Sequence, residues 1–162
     1  MMTIRKANPA TDATEIWKIL EQIITNGDVF AYPPTWTQQK LLSYWFAPEK
    51  HVYVAELEGA VVGTFFLQDN QPGLGSHIAN ASYAADLRQA RRGIGRAMGL
   101  FSLTEAKRLG YRAMQFNLVL KSNQKAVALW QSIGFQIIGE IPDAFQKSPN
   151  SFVNAYVMYQ KL

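Results

Sequence analysis

The chain has 162 residues, 48% hydrophobic and 17% charged, and fits one domain with one sizeable core, expected to span residues 1–162. It has no cysteine, which excludes a disulfide framework and thiolate chemistry, and no apolar run of membrane-spanning length or secretory signal, so a cytoplasmic protein is expected. The net charge of +4 is concentrated in residues 88–96 rather than spread over a broad basic face, which argues against a nucleic-acid binder and for a compact polyanion.

TIRKANP (3–9) reads as a short strand ended by Pro9. TDATEIWKILEQIITNG (11–27) follows as a helix, with Ile16, Ile19, Leu20, Ile23 and Ile24 at helical spacing. Thr11 or Asp12 would cap its start and Gly27 would close it. The aromatic, proline-kinked DVFAYPPTW (28–36) predicts an ordered loop, and TQQKLLSYWFA (37–47) a second helix. HVYVAELEGAVVGTFFLQD (51–69) has the pattern of a hairpin turning at Glu58-Gly59-Ala60. SHIANASYAADL (76–87) reads as a strand, 94–109 as a helix, YRAMQFNLVL (111–120) as a strand and SNQKAVALWQSIGF (122–135) as a short helix. FQIIGEI (135–141) and FVNAYVMYQKL (152–162) supply two last strands around a loop at 142–151. This order predicts an α/β fold, a mixed, mostly antiparallel sheet of about seven strands flanked by about four helices.

RQARRGIGRAMG (88–99) packs four arginines and three glycines between a strand and a helix. Gly93 and Gly95 would let an anion approach the backbone, the free N–H groups of Ile94 and its neighbours would point at it, and Arg91, Arg92 and Arg96 would add charge. The same string also fits a tight turn with solvated arginines. A P-loop is excluded because G-x-x-x-x-G-K-[ST] does not occur. A dinucleotide fold is excluded because the loop follows a β-meander rather than opening a run of βα units.

A-R-R-G-I-G (90–95), followed by S-N-Q-K-A-V-A-L-W-Q-S-I-G-F (122–135), resembles the two signatures of the GCN5-related N-acetyltransferase (GNAT) family, in order and separated by one helix and one strand. Within that family, SHIANASYA and FNLVLKSN are similar to the yeast branch that acetylates azetidine-2-carboxylate, a proline analogue. The resemblance implies acetyl-coenzyme A as donor, a small amine as acceptor and no metal, with no nucleic-acid or membrane partner and a homodimer left open. It implies that the N–H groups from Arg91 to Arg96 hold the pyrophosphate, with Arg88, Arg91 or Lys125 near the 3′-phosphate. The strand ending at Tyr83-Ala84-Ala85 would part from 113–120, so that the pantetheine arm pairs with Tyr83 and Ala85 and bonds Asn123. The Ala85 N–H would stabilise the tetrahedral oxyanion, and Asp86, Glu56 and His77 are candidate bases.

Two departures qualify the resemblance. Ala90 stands where the family prefers Gln or Arg. Trp130 stands where it often has a proton-donating tyrosine; an indole cannot protonate a thiolate, so Trp130 reads as a wall of the cofactor site, and Tyr83 or water would protonate the leaving thiolate. Asn80 and Asn117 lie on the two parting strands and would grip a small polar acceptor such as an amino acid, with Tyr32, Trp36 and Phe145 lining the pocket. The alternative is a coenzyme A-binding sensor or scaffold with weakened catalysis.

Overall fold

A computed structural model describes residues 1–27 and 30–162; Asp28 and Val29, the start of the aromatic loop, lie outside the described residues. The elements are β1 (Met2–Lys6), α1 (Pro9–Asn26), α2 (Gln38–Trp45), β2 (His51–Leu57), β3 (Ala60–Asp69), β4 (Ile78–Ala85), α3 (Ile94–Arg108), β5 (Ala113–Leu120), α4 (Gln124–Ser132), β6 (Gln136–Ser148) and β7 (Ser151–Lys161). The seven strands form one sheet in the order β1-β2-β3-β4-β5-β7-β6, antiparallel throughout except for β4 against β5.

The first helix starts earlier than its sequence suggests. Asn8, not Thr11 or Asp12, is the cap: its Oδ1 accepts the Ala10 N–H at 3.0 Å, and Pro9 occupies the first turn, where a missing N–H costs nothing. Asp12 instead accepts the Asn8 N–H at 2.7 Å and a two-pronged contact from Arg5 at 2.8 and 2.9 Å, which fastens α1 to β1. A second difference is at the far edge, where most of the segment read as a loop at 142–151 is strand. β6 runs to Ser148 and turns through 149–150 into β7. Pro142 is tolerated because β6 is the edge strand and the β6–β7 register shifts between Ile141 and Phe145.

Alternation of side chains across the sheet creates two cores. Phe65 and Leu67 of β3 face α3 and α4, with Met98, Met114, Trp130 and Met158. Phe66 faces α1 and α2, packing with Ile16, Leu20, Trp45 and Val54. Trp45 buries its indole and donates to Thr64 Oγ1 at 3.1 Å, and Thr64 in turn donates to the Tyr53 carbonyl at 2.9 Å, so neither polar group is stranded. Among the described residues, no helix is long and apolar enough to cross a membrane.

Candidate active site in the split of the sheet

β4 and β5 pair only at Ile78↔Ala113 and Ala79↔Met114, and then part. The direction of the backbone follows from the ladder to β3. Ile78 O accepts the Asn70 N–H at 2.8 Å and the Asp86 N–H donates to Val62 O at 2.9 Å, so even-numbered residues of β4 face β3. Odd-numbered Ala81, Tyr83 and Ala85 therefore turn their N–H and C=O toward the side that β5 has left. On the opposite strand, the β5–β7 register shifts between Phe116 and Val119, a bulge that re-aims Asn117 and Leu118. A cavity of about 390 Å³ fills the wedge, bordered among others by Tyr32, Asn80, Tyr83, Asn117, Asn123 and Trp130.

Beyond Ala85 the chain makes a short turn at Leu87–Gln89 and enters the arginine–glycine loop. Among the described residues, none of the amides from Arg91 to Arg96 has a backbone acceptor, and the first backbone bond of α3 runs from the Ala97 N–H to Gly93 O at 2.9 Å. Gly93 is the N-cap at φ +73°, with no side-chain cap and open space around its α-carbon. Arg91 also takes a positive φ, 68°, an unfavourable conformation for a side-chain-bearing residue. The two glycines do different jobs. A β-carbon at Gly95 would sit 3.2 Å from Leu129 Cδ2, so Gly95 serves the packing of α3 on α4, while Gly93 keeps the approach to the amides clear.

The side chains named from the sequence sort differently. Arg88 is committed to Asp86 (2.8 Å) and Arg96 to Ser132 Oγ (2.9 Å), leaving the exposed Arg91 and Arg92 as the loop's outward charge. Asn123 caps α4 by accepting the Ala126 N–H at 3.2 Å and borders the wedge. Trp130 is 8% exposed and packs on Tyr83 and Phe116 with ring centroids 4.8 Å from each. Tyr83 donates its hydroxyl to Ser102 Oγ at 2.6 Å, and Ser102 passes its own proton to Gly99 O at 2.7 Å. Burial pushes the Tyr83 phenol up, so a hydroxyl aimed into the α3 side of the core is no acid for a thiolate. The cavity borders Tyr83, and Ala85 lies further along β4 toward the arginine–glycine loop.

None of the three candidate bases is well arranged for that role. The Arg88 guanidinium holds Asp86 below the usual carboxylate range, and Asp86 also caps the turn at Leu87–Gln89. Glu56 lies on β2, paired with Arg5 at 2.6 Å. His77 sits at the closed end of the wedge, its carbonyl accepting the Arg112 N–H at 2.8 Å.

On the α1/α2 face, Tyr32 stacks between Phe30 (4.8 Å) and Trp36 (5.5 Å) and meets Tyr44 edge-on at 5.1 Å. Burial raises the Tyr32 phenol, so it presents a neutral hydroxyl. Trp36 supports the wall without bordering the cavity, and Phe145 does not reach it, packing with Leu120 and Ala155 in a separate cluster. Asn80 and Asn117 do border it, and both donate to Asn70 Oδ1, at 3.1 and 2.7 Å. Asn70, Gln68 and Tyr44 escape a sequence reading: Asn70 falls in the turn-like QDNQPG, and Tyr44 looks like one more residue of a helix. The signal for Asn70 is a third asparagine beside two strand asparagines, visible only once the strand register is known.

Among the described residues, the split sheet of seven strands with four helices, and with the arginine–glycine loop at the mouth of the split, has the fold of the N-acetyltransferases. The model of the acetyltransferase (GNAT) family matches residues 15–135, and the chain belongs to that family. N-acetyltransferase aca1 of Schizosaccharomyces pombe is 32% identical over 112 residues, 68% of this chain and 54% of that protein, so the chain spans about half the length of this curated relative. A GCN5-related N-acetyltransferase from Kribbella flavida is 36% identical, with a TM-score of 0.92 over 99% of this chain and 98% of that one. The fold is also that of yncA from Salmonella typhimurium, solved with acetyl-CoA (22% identity, TM-score 0.87, 99% and 94% of the two chains).

Proposed function

We propose that the protein transfers an acetyl group from acetyl-coenzyme A to the amine of a small molecule, an amino acid or amino-acid analogue, acting as one domain over residues 1–162. The observation that carries this reading is the row of unpaired β4 backbone groups at Ala81, Tyr83 and Ala85, which leads from the wedge to a loop of unengaged amides at Arg91 to Arg96. An extended pantetheine arm matches the first as an added strand, and a pyrophosphate matches the second. The Asn123 Nδ2 is available to the arm, Trp130 walls it, and Arg91, Arg92 or Lys125 faces the 3′-phosphate. The acceptor enters from the α1/α2 face, against Tyr32, Asn80 and Asn117.

The amine nitrogen attacks the thioester carbonyl, the oxygen takes the negative charge, the C–S bond breaks and the thiolate leaves; the amine proton goes to solvent. A gap-facing β4 amide, that of Ala85 or Tyr83, is the donor to that charge in this reading. With Asp86 held by Arg88 and the Tyr83 hydroxyl held by Ser102, positioning and the oxyanion donor supply the rate, and water protonates the thiolate. Ala90 removes one side chain from the loop, and Arg91 and Arg92 supply charge in its place.

The test replaces Gly93 by Asp and by Asn. Both side chains tolerate a left-handed backbone, so the pair differs mainly by a charge beside the amides. Gly93→Asp is expected to raise the KM for acetyl-coenzyme A at least about 10-fold above Gly93→Asn. Equal KM values would remove the loop from the cofactor site. A coenzyme A-binding sensor would instead bind the carrier and release no thiol with any of a broad panel of amines.

A further inference from the structure

Asn70 closes the antiparallel β3–β4 pairing, its N–H on Ile78 O, at the level where β4 and β5 separate. It does not border the cavity. Its single side-chain oxygen takes one N–H from Asn80 on β4 (3.1 Å) and one from Asn117 on β5 (2.7 Å), which ties the two diverging strands together. Gln115 Nε2 donates to the Asn117 Oδ1 at 2.9 Å. A side-chain amide has two N–H donors and one carbonyl. In this arrangement Asn117 turns its nitrogen end toward Asn70 while its carbonyl accepts from Gln115, and Asn80 turns its nitrogen the same way. What each has left to offer from its nitrogen is one N–H, one from each side of the wedge.

We propose that Asn70 is a positioning residue that sets the amide orientation of Asn80 and Asn117, so that their two remaining N–H groups select an acceptor carrying a carboxylate beside its amine. This rests on the acceptor pocket assigned above. Two planar donors from opposite strands match the two oxygens of a carboxylate, whereas the decarboxylated amine of the same side chain leaves both donors without a partner. Asn70→Ala frees the Asn80 amide to rotate and leaves the Asn117 amide held by Gln115 alone, so the two donors are no longer fixed as a pair.

Two measurements test this, one independent of any acceptor. In the acceptor-free protein, the side-chain amide NMR signals of Asn80 and Asn117 are expected to move together in Asn70→Ala, while Asn70→Asp, whose carboxylate still accepts from both, keeps them near their wild-type pattern. Unchanged signals in Asn70→Ala would overturn the inference. In kinetics, the wild type is expected to favour amino acids over their matched decarboxylated amines in kcat/KM. Asn70→Ala should cut that ratio about 10-fold with the KM for acetyl-coenzyme A unchanged. A preserved ratio also overturns it, because loss of packing alone lowers both substrates equally. A wild type that acetylates no amino acid sinks the functional reading, while the NMR result still decides whether Asn70 orients its neighbours.

Discussion

Lys50 is only 9% exposed, and its ammonium donates to the Tyr44 carbonyl at 2.6 Å with the Tyr44 ring centroid 3.1 Å away and that of Phe66 at 4.5 Å. It thus closes the end of α2 behind one wall of the acceptor pocket. Desolvation lowers its pKa from 10.5 to about 8, against the opposing charge of Glu49; the two ring faces return part of that cost. Because the folded value lies below the unfolded one, the unfolded chain binds more protons between about pH 8 and 10.5, and stability from this residue rises with pH across that window. Lys50→Met keeps the stem and removes the titration. The stability of the wild type relative to Lys50→Met is expected to improve by about 1–2 kcal/mol from pH 7.5 to 9.5 in urea melts. A flat difference would show an ammonium as well solvated folded as unfolded.

At the scale of elements, the packing of α3 on α4 is set by Gly99. A β-carbon there would lie 2.8 Å from Ile133 Cδ1 and 3.0 Å from Trp130 Cζ3. Gly99→Val is expected to cost about 1–3 kcal/mol and lower Tm by roughly 3–10 °C, with Trp130 fluorescence shifting as the indole is displaced. An unchanged Tm would mean that the two helices can spread freely. Helices and strands with strong periodicity were legible from the sequence because Ile16, Ile19 and Leu20, or the alternation in β2 and β3, carry their burial pattern locally. The Asn8 cap was hidden because Pro9 can end a strand or open a helix, and only the Asp12 contact to the Asn8 N–H tells which. The long β6 was hidden because Pro142 punctuates a strand that has a partner on one side only. Gly93 is the N-cap of α3, and that the glycines at 93–95 open this helix was legible. Asn70 was not, since its role depends on three strands meeting.

For the molecule as a whole, the decisive feature is how little backbone joins its halves. β1 to β4 form one antiparallel block and β5 to β7 another, and two residue pairs connect them. Side-chain packing of α3 and α4 against both blocks adds to this, together with the Arg112 N–H on His77 O, the Tyr111 hydroxyl on Asp69 Oδ1 and the asparagine bridge at Asn70. A carrier that pairs with β4 and bonds Asn123 at the end of β5 would touch both blocks, so its binding should register in global stability and, locally, at the unpaired strand. Coenzyme A at 100 times its Kd is expected to add about 2.7 kcal/mol, raising Tm by roughly 5–10 °C for a chain of this size. Dephospho-coenzyme A at the same concentration is expected to give a smaller rise, by the contact of Arg91, Arg92 or Lys125 with the 3′-phosphate. Hydrogen exchange should locate the effect. The amides of Ala81, Tyr83 and Ala85, which face the gap, are expected to exchange faster without coenzyme A and to slow on its binding, whereas those of Ser82 and Ala84, already bonded to β3, should change far less. Protection confined to other strands, or no rise in Tm at millimolar coenzyme A, would mean that the wedge does not hold the carrier.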